Sequence, residues 1–276
     1  MPNLRSLNFV NQDLRNRSFR QKALNGADFR GADIRGCDFS QAQLVGANFT
    51  HAKMGQSRQQ IVRLLILIAI VAGVMAHTVS QLIFGALGQV PGGSAWGFIL
   101  ALYMSLGIAG GMSGMSIILK PRSRANRSAL WLAGVASSTL VGFFYGGSLT
   151  GNNAMLAIGG AVGWGSLTAI GLLRYRTVAI AAIVTTAGAV AAYGFAFLVY
   201  AHALTWWQIQ QTGLGGLLMI LALFYLWLTL NALVVTYHQI RQAPGTVFRG
   251  ANLTHTRFEA VQFSNTDFEG ALRLED

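Results

Sequence analysis

Large apolar residues return at every fifth position along the first part of the chain: Leu4, Phe9, Leu14, Phe19, Leu24, Phe29, Ile34, Phe39, Leu44, Phe49 and Met54. From Ala27 onward a small residue stands two places before each of them, as Ala27, Ala32, Cys37, Ala42, Ala47 and Ala52. The pattern resumes near the other end at Phe248, Leu253, Phe258, Phe263 and Phe268. Its small partners there are Ala251, Thr256, Val261 and Thr266, and Ala271 opens an imperfect last unit. A strict period of five matches neither the 3.6 of a helix nor the 2.0 of a strand. Both ends therefore predict arrays of one small unit.

Between them the pattern changes to long apolar runs. Six spans are predicted, roughly residues 64–84, 96–119, 128–149, 154–173, 177–200 and 214–237. Each holds about 20 residues, enough to cross a hydrocarbon layer of about 30 Å as a helix. The domain division expected is 1–57 for the first array, 58–241 for a six-helix domain and 242–276 for the second array. Small residues mark the second span (Gly107, Gly110, Gly111, Gly114) and the fourth (Gly159, Gly160, Gly163, Gly165). Close approach of helix backbones accounts for such spacing; a hinge in a transporter is the other reading.

Composition supports the spans. The chain of 276 residues is 53% hydrophobic and 11% charged, against about 25% charged in soluble domains. No Asp or Glu occurs between Asp38 and Glu259. The net charge of +11 suggests nucleic acid at first sight, but the cations sit beside the apolar runs. Arg58 and Arg63 precede the first span; Lys120, Arg122, Arg124 and Arg127 lie between the second and third; Arg174 and Arg176 lie between the fourth and fifth; Arg241 follows the sixth. The alternate loops, 85–95, 150–153 and 201–213, hold no Lys or Arg. The positive-inside rule then puts both termini in the cytoplasm, with Trp96, Trp206 and Trp207 at the far interface. Residues 1–60 contain no apolar leader run, so no cleavable signal peptide is expected.

Units such as Ala27-Asp28-Phe29-Arg30-Gly31 and Ala251-Asn252-Leu253-Thr254-His255 resemble the pentapeptide-repeat family, with its A-(D/N)-L-x-x consensus. The resemblance covers about 55 residues at the start and about 30 at the end, and six consecutive units over residues 25–52 keep both inward positions. It implies a right-handed, quadrilateral β-helix with four units per coil, formed by the termini of a membrane α-helical protein. In it the central and small residues point inward, and successive coils stack at strand spacing, about 4.8 Å. Cys37, at a small inward position, reads as a buried small hydrophobe.

The alternation of Phe with aliphatic residues carries a further implication. If Phe248 follows Met54 as the next unit, every central residue of the second array except Phe263 falls on a face of its own type. A shift of two units fits equally well. One short solenoid interrupted by a six-helix insertion is therefore expected, since the second array alone makes little more than one coil. The first array holds eight basic and four acidic residues, and the second three basic and five acidic, so their charges favour contact.

Catalytic chemistry finds little support. Gly111-Met112-Ser113-Gly114 is similar to the G-x-S-G motif of rhomboid intramembrane proteases, which need an embedded His. Only His77 lies within a span, at about 20 Å from the cytoplasmic end against about 10 Å for Ser113. The motif also stands in the second span rather than the fourth. Intramembrane carboxylates, the usual mark of cation-coupled transport, are absent, which leaves transport of a neutral or anionic solute as an alternative; Asn231 and His77 are its candidate polar residues. Topoisomerase-inhibiting members of the family resemble DNA through an acidic rod, whereas this first array is basic. Its Arg15, Arg17, Arg20 and Lys22 read as a solvated face attracted to anionic lipid rather than to nucleic acid. No metal cluster or phosphate loop occurs, and no cofactor is expected. The reading is a non-enzymatic membrane scaffold or assembly factor with a protein partner on its cytoplasmic repeat surface. The family's abundance in cyanobacteria points by analogy to a plasma or thylakoid membrane.

Overall fold

A computed structural model describes residues 7–87, 93–116, 118–119, 123–174 and 177–272. Leu4, Lys120, Arg122 and Arg176 lie outside the described residues. The chain forms two compact units: residues up to Leu65 together with those from Gln242 onward, and Ile66 to Arg241.

In the first unit each five-residue repeat contributes one residue to a parallel ladder. Asn8 bridges Asp28, Asp28 bridges Asn48, and Asn48 bridges Arg257; Asp13, Asp33, Lys53 and Gln262 form a second column in the same way. Within one array the partners are twenty residues apart, so four units make one coil. Among the described residues only β1 (Thr246–Val247) and β2 (Thr266–Asp267) extend over two residues and pair as strands. The others are single bridges, because the chain turns again after every central residue. The turn falls two places past that residue, where φ is positive: 60° at Asn16, 58° at His51, 65° at Gly31 and 50° at Ala260. An L-residue there loses about 1–2 kcal/mol to its own Cβ, which explains the run of Gly and Asn.

The central residues fill the interior. Phe9, Phe29, Phe49 and Phe258 stack in one column with ring centroids 4.8, 4.7 and 5.3 Å apart. Phe19, Phe39, Phe248 and Phe268 stack in the other at 5.0, 5.0 and 5.1 Å. The columns meet edge to face, as at Phe29 and Phe39, an arrangement favourable to the ring quadrupoles. Leu14, Leu24, Ile34 and Leu44 fill the remaining interior beside Ala27, Ala32, Ala42 and Ala47, and Ala251 and Leu253 extend the same core. In the first described coil Gln12, Arg17 and Lys22 take the small inward positions and stay exposed. Phe263, counted with the core from the sequence, departs from it at 46% exposure. Its ladder neighbour Gln262 bridges Lys53, which puts it in the aliphatic column of Ile34 and Met54, while its ring meets Phe258 at 5.5 Å and Phe268 at 5.7 Å.

The helices are α1 (Arg58–Ala86), α2 (Trp96–Met115), α3 (Arg124–Ser148), α4 (Ala154–Arg174), α5 (Val178–Gln208) and α6 (Thr212–Gln242). All six are long and apolar enough to cross a membrane. α1 starts earlier than its apolar run because Ser57 and Gln60 form a capping box: Gln60 N donates to Ser57 Oγ at 3.1 Å, and Ser57 N to Gln60 Oε1 at 3.3 Å. Ser123 and Thr177 cap α3 and α5 in the ordinary way. α5 continues past its predicted end because nothing between Ala201 and Gln208 breaks a helix. Trp206 and Trp207 thus stand in its last turn rather than in a loop.

α5 is the central helix of the second unit, with 72% of its apolar window buried against 11% for α1 and α4. Its neighbours approach through small residues. A Cβ on Gly110 of α2 would meet the Ala192 backbone, one on Gly188 would meet Ser113, and one on Gly194 would meet Val79 of α1. Gly142 of α3 and Gly160 of α4 approach so closely that a Cβ on either would strike the other's carbonyl. Dispersion between close backbones holds such helices where lipid offers no hydrophobic difference.

The two classes of Phe predict a contrast. Phe39→Ala removes a fully buried ring and is expected to cost about 3–5 kcal/mol. Phe263→Ala, at half exposure, is expected to cost less than about 1.5 kcal/mol. Chemical denaturation of the repeat unit, followed by circular dichroism in detergent, measures both.

Candidate functional site

The backbone ladder passes from one array to the other without a gap. Phe39 N donates to Val247 O at 2.7 Å and Val247 N returns to Cys37 O at 2.9 Å. Leu44 N pairs with Asn252 O at 2.9 Å, and Phe49 N with Arg257 O at 2.8 Å. Phe248 accordingly stacks on Phe39, the place of the unit next after Met54.

The chain leaves this ladder at Gly55 and re-enters it at Gly245, and a cluster of polar side chains joins the two points. Thr246 is fully buried; its Oγ1 accepts from Gly55 N at 2.9 Å and donates to Ile34 O at 3.0 Å. Gln60 Nε2 donates to Gly245 O at 3.2 Å, and Gln56 Nε2 to Ala243 O at 2.6 Å. Asn16 holds the start of α1 through Ser57 and through Gln59 Oε1 at 2.9 Å. The bonds to Gly55 N, Gly245 O and Ala243 O engage backbone groups at the interruption itself. The sequence carried one signal for this cluster, the Ser57-x-x-Gln60 capping box; nothing local marks Thr246 or Asn16.

Polar groups at small inward positions are satisfied alike. Cys37 Sγ donates to Leu14 O at 3.0 Å and Thr256 Oγ1 to Leu44 O at 3.0 Å. Burial pushes the Cys37 thiol up to about 12.

The outward positions form regular columns. Arg15 pairs with Asp13 at 2.6 Å, Arg30 with Asp28 at 2.7 Å and Arg35 with Asp33 at 2.5 Å, each cation two residues past its acid. The Arg15 side chain lowers the Asp13 carboxyl to about 2, and Arg30 and Arg35 lower Asp28 and Asp33. Arg249 pairs with Asp267 at 2.7 Å and Glu269 at 3.3 Å. One face differs. Its columns Ala23–Gln43–Asn252, with Asn25, Val45 and Thr254 beside them, carry no charge, and Gln21 and Gln41 join their amides along its edge at 2.8 Å.

In the helical unit the groups weighed for catalysis are engaged elsewhere. Ser113 Oγ is buried and donates to Thr185 O at 2.9 Å. His77 packs against Phe144 and Tyr145 of α3. Thr185 Oγ1 lies 2.9 Å from both Thr236 Oγ1 and Gln239 Oε1, and Tyr225 donates to Gly107 O at 3.0 Å. Asn231 Nδ2 is buried without a hydrogen-bond partner among the described residues. Of the topology cations, Arg63 stands in the second turn of α1, Arg124 and Arg127 in the first turn of α3, Arg174 ends α4, and Arg241 lies near the end of α6 over the Tyr237 ring at 5.0 Å. Among the described residues no three or more His, Cys, Asp or Glu gather as metal ligands.

A family model for pentapeptide repeats matches residues 23–58 and 243–271 in eight copies. Both termini thus carry pentapeptide repeats, and the six helices stand between them. No curated protein and no solved structure matches the chain.

Thr246→Val keeps the shape but orphans Gly55 N–H, while Ile34 C=O keeps its bond from Cys37 N; it is expected to destabilise the repeat unit by about 1–3 kcal/mol, with Thr246→Ser restoring most of the loss in the same denaturation assay. The buried Cys37 is expected to resist maleimide at pH 8 in the folded protein and to react at once in denaturant, read by mass spectrometry.

Proposed function

We propose that this chain is a membrane-anchored pentapeptide-repeat scaffold without catalytic activity. In this reading the two arrays form one right-handed, four-sided β-helix on the cytoplasmic side, and the six helices are an anchor inserted into it. The observation that carries the reading is the ladder of bridges and stacked Phe rings that runs through both arrays. It gives a regular stack whose outward residues present a surface to a partner, as solenoids do. Six crossings would return the chain to the side it left, and the clustering of cations at alternate helix ends supports the cytoplasmic side.

The face of the Ala23, Gln43 and Asn252 columns, where charge is confined to Lys22 of the first described coil, is the docking surface we assign to a protein partner, because the cores of interfaces are depleted in charge. Close packing of α5 by Gly110, Gly188 and Gly194 favours an anchor over a conduit. The polar contacts of Ser113, Thr185 and Thr236 then join helices rather than line a path.

Affinity capture of the full chain from detergent-solubilised native membranes is expected to recover a stoichiometric protein partner, and Gln43→Glu with Asn252→Glu to lose it. Solute movement by the purified chain in liposomes, with no partner captured, would overturn the reading. The single-coil element has a separate check. Cysteines at Asn48 and Arg257, which bridge across the two arrays, are expected to form a disulfide within one molecule, and failure under mild oxidation counts against one continuous coil.

A further inference from the structure

A cleft of about 620 Å³ opens beside the point where the chain leaves the first array, within the size range of small-molecule sites. Its walls include Arg35, His51 and Lys53, with Gln262 and Ser264 as neutral polar groups and Met54 and Ile61 as apolar ones; the Asp33 carboxylate, held by Arg35 Nε and Nη2, is not among the lining residues. The interruption creates it. Lys53 projects from the ladder between Asp33 and Gln262, while Gly55, which follows two residues later, lies against Ser264 of the cleft wall. Arg35 is oriented by Asp33 at 2.5 Å. Lys53 and His51 are exposed and form no ion pair among the described residues.

We infer that this cleft binds a phosphate ester. The Lys53 ammonium and the outward N–H groups of Arg35 meet the phosphate oxygens, a pairing that such donors make strongly. Ser264 and Gln262 supply neutral hydrogen bonds. Met54 and Ile61 cover the first carbons of the esterified alcohol. A soluble phosphomonoester and the headgroup of an anionic phospholipid present this same group.

The test uses the full chain. Purified in neutral detergent, it is titrated with glycerol 3-phosphate by calorimetry. In parallel it is placed in vesicles of phosphatidylcholine with or without phosphatidylglycerol, and its unfolding midpoint is read. Lys53→Gln is expected to weaken binding about tenfold, the loss of one charge-assisted contact. Lys53→Arg is expected to retain it. Arg257→Gln removes a charge outside the cleft and is expected to change nothing. Lys53-dependent, saturable binding of glycerol 3-phosphate supports the site with a soluble ester; a Lys53-dependent rise in midpoint seen only with phosphatidylglycerol supports it with a headgroup. No response to either ligand, or equal weakening by Lys53→Gln and Arg257→Gln, overturns it. Lys53 is exposed, so its variants leave the fold intact.

Discussion

The repeat unit depends on one constraint: every turn of the chain must find its backbone partners one coil away. Each five-residue repeat is too short to satisfy its own N–H and C=O groups. The second array makes little more than one coil, so its inner partners come from the first array, through Phe39, Leu44 and Phe49 on one side and Val247, Asn252 and Arg257 on the other. The stacked rings of Phe39 on Phe248 and Phe49 on Phe258 add the apolar half of the same dependence. Neither hydrogen bonding nor apolar burial lets the second array stand alone.

That dependence explains the chemistry at the interruption. Where the ladder is interrupted between Gly55 and Gly245, side chains close the opened edge. Thr246, Gln60 and Gln56 do this with hydrogen bonds to Gly55, Ile34, Gly245 and Ala243. Gly55 itself, at φ 114°, takes a conformation closed to larger residues. Ser57 closes the ladder and also starts α1, so the repeat and the first helix share one residue.

Charge follows the same economy. The outward Asp–Arg pairs lie two residues apart in one unit, and exposed pairs of this kind add little to stability. They keep the surface soluble and regular while the interior supplies the stability. In the helical unit the roles are reversed: apolar surface faces outward, and small residues on α2, α4 and α5 allow the backbones to meet. The G-x-S-G segment belongs to this packing, since Ser113 is held between Thr185 and Gly188.

The sequence by itself determined the units and their phase. A large residue every fifth place and a small one two before it name the interior of the array, because only inward positions restrict size. Six apolar runs name the helices, because length and hydropathy are local properties. Parity of Phe and aliphatic units narrowed the register of the second array to two choices. Only the tertiary structure decided between them, placing Phe248 on Phe39, 209 residues away in the chain, since no local pattern encodes contacts at that separation. It also left Phe263 half exposed with its ring against Phe258 and Phe268, a placement that depends on neighbours and not on the repeat pattern. Thr246, Asn16 and the cleft beside Lys53 were illegible for the same reason: each is defined by neighbours that the fold, not the sequence, brings together.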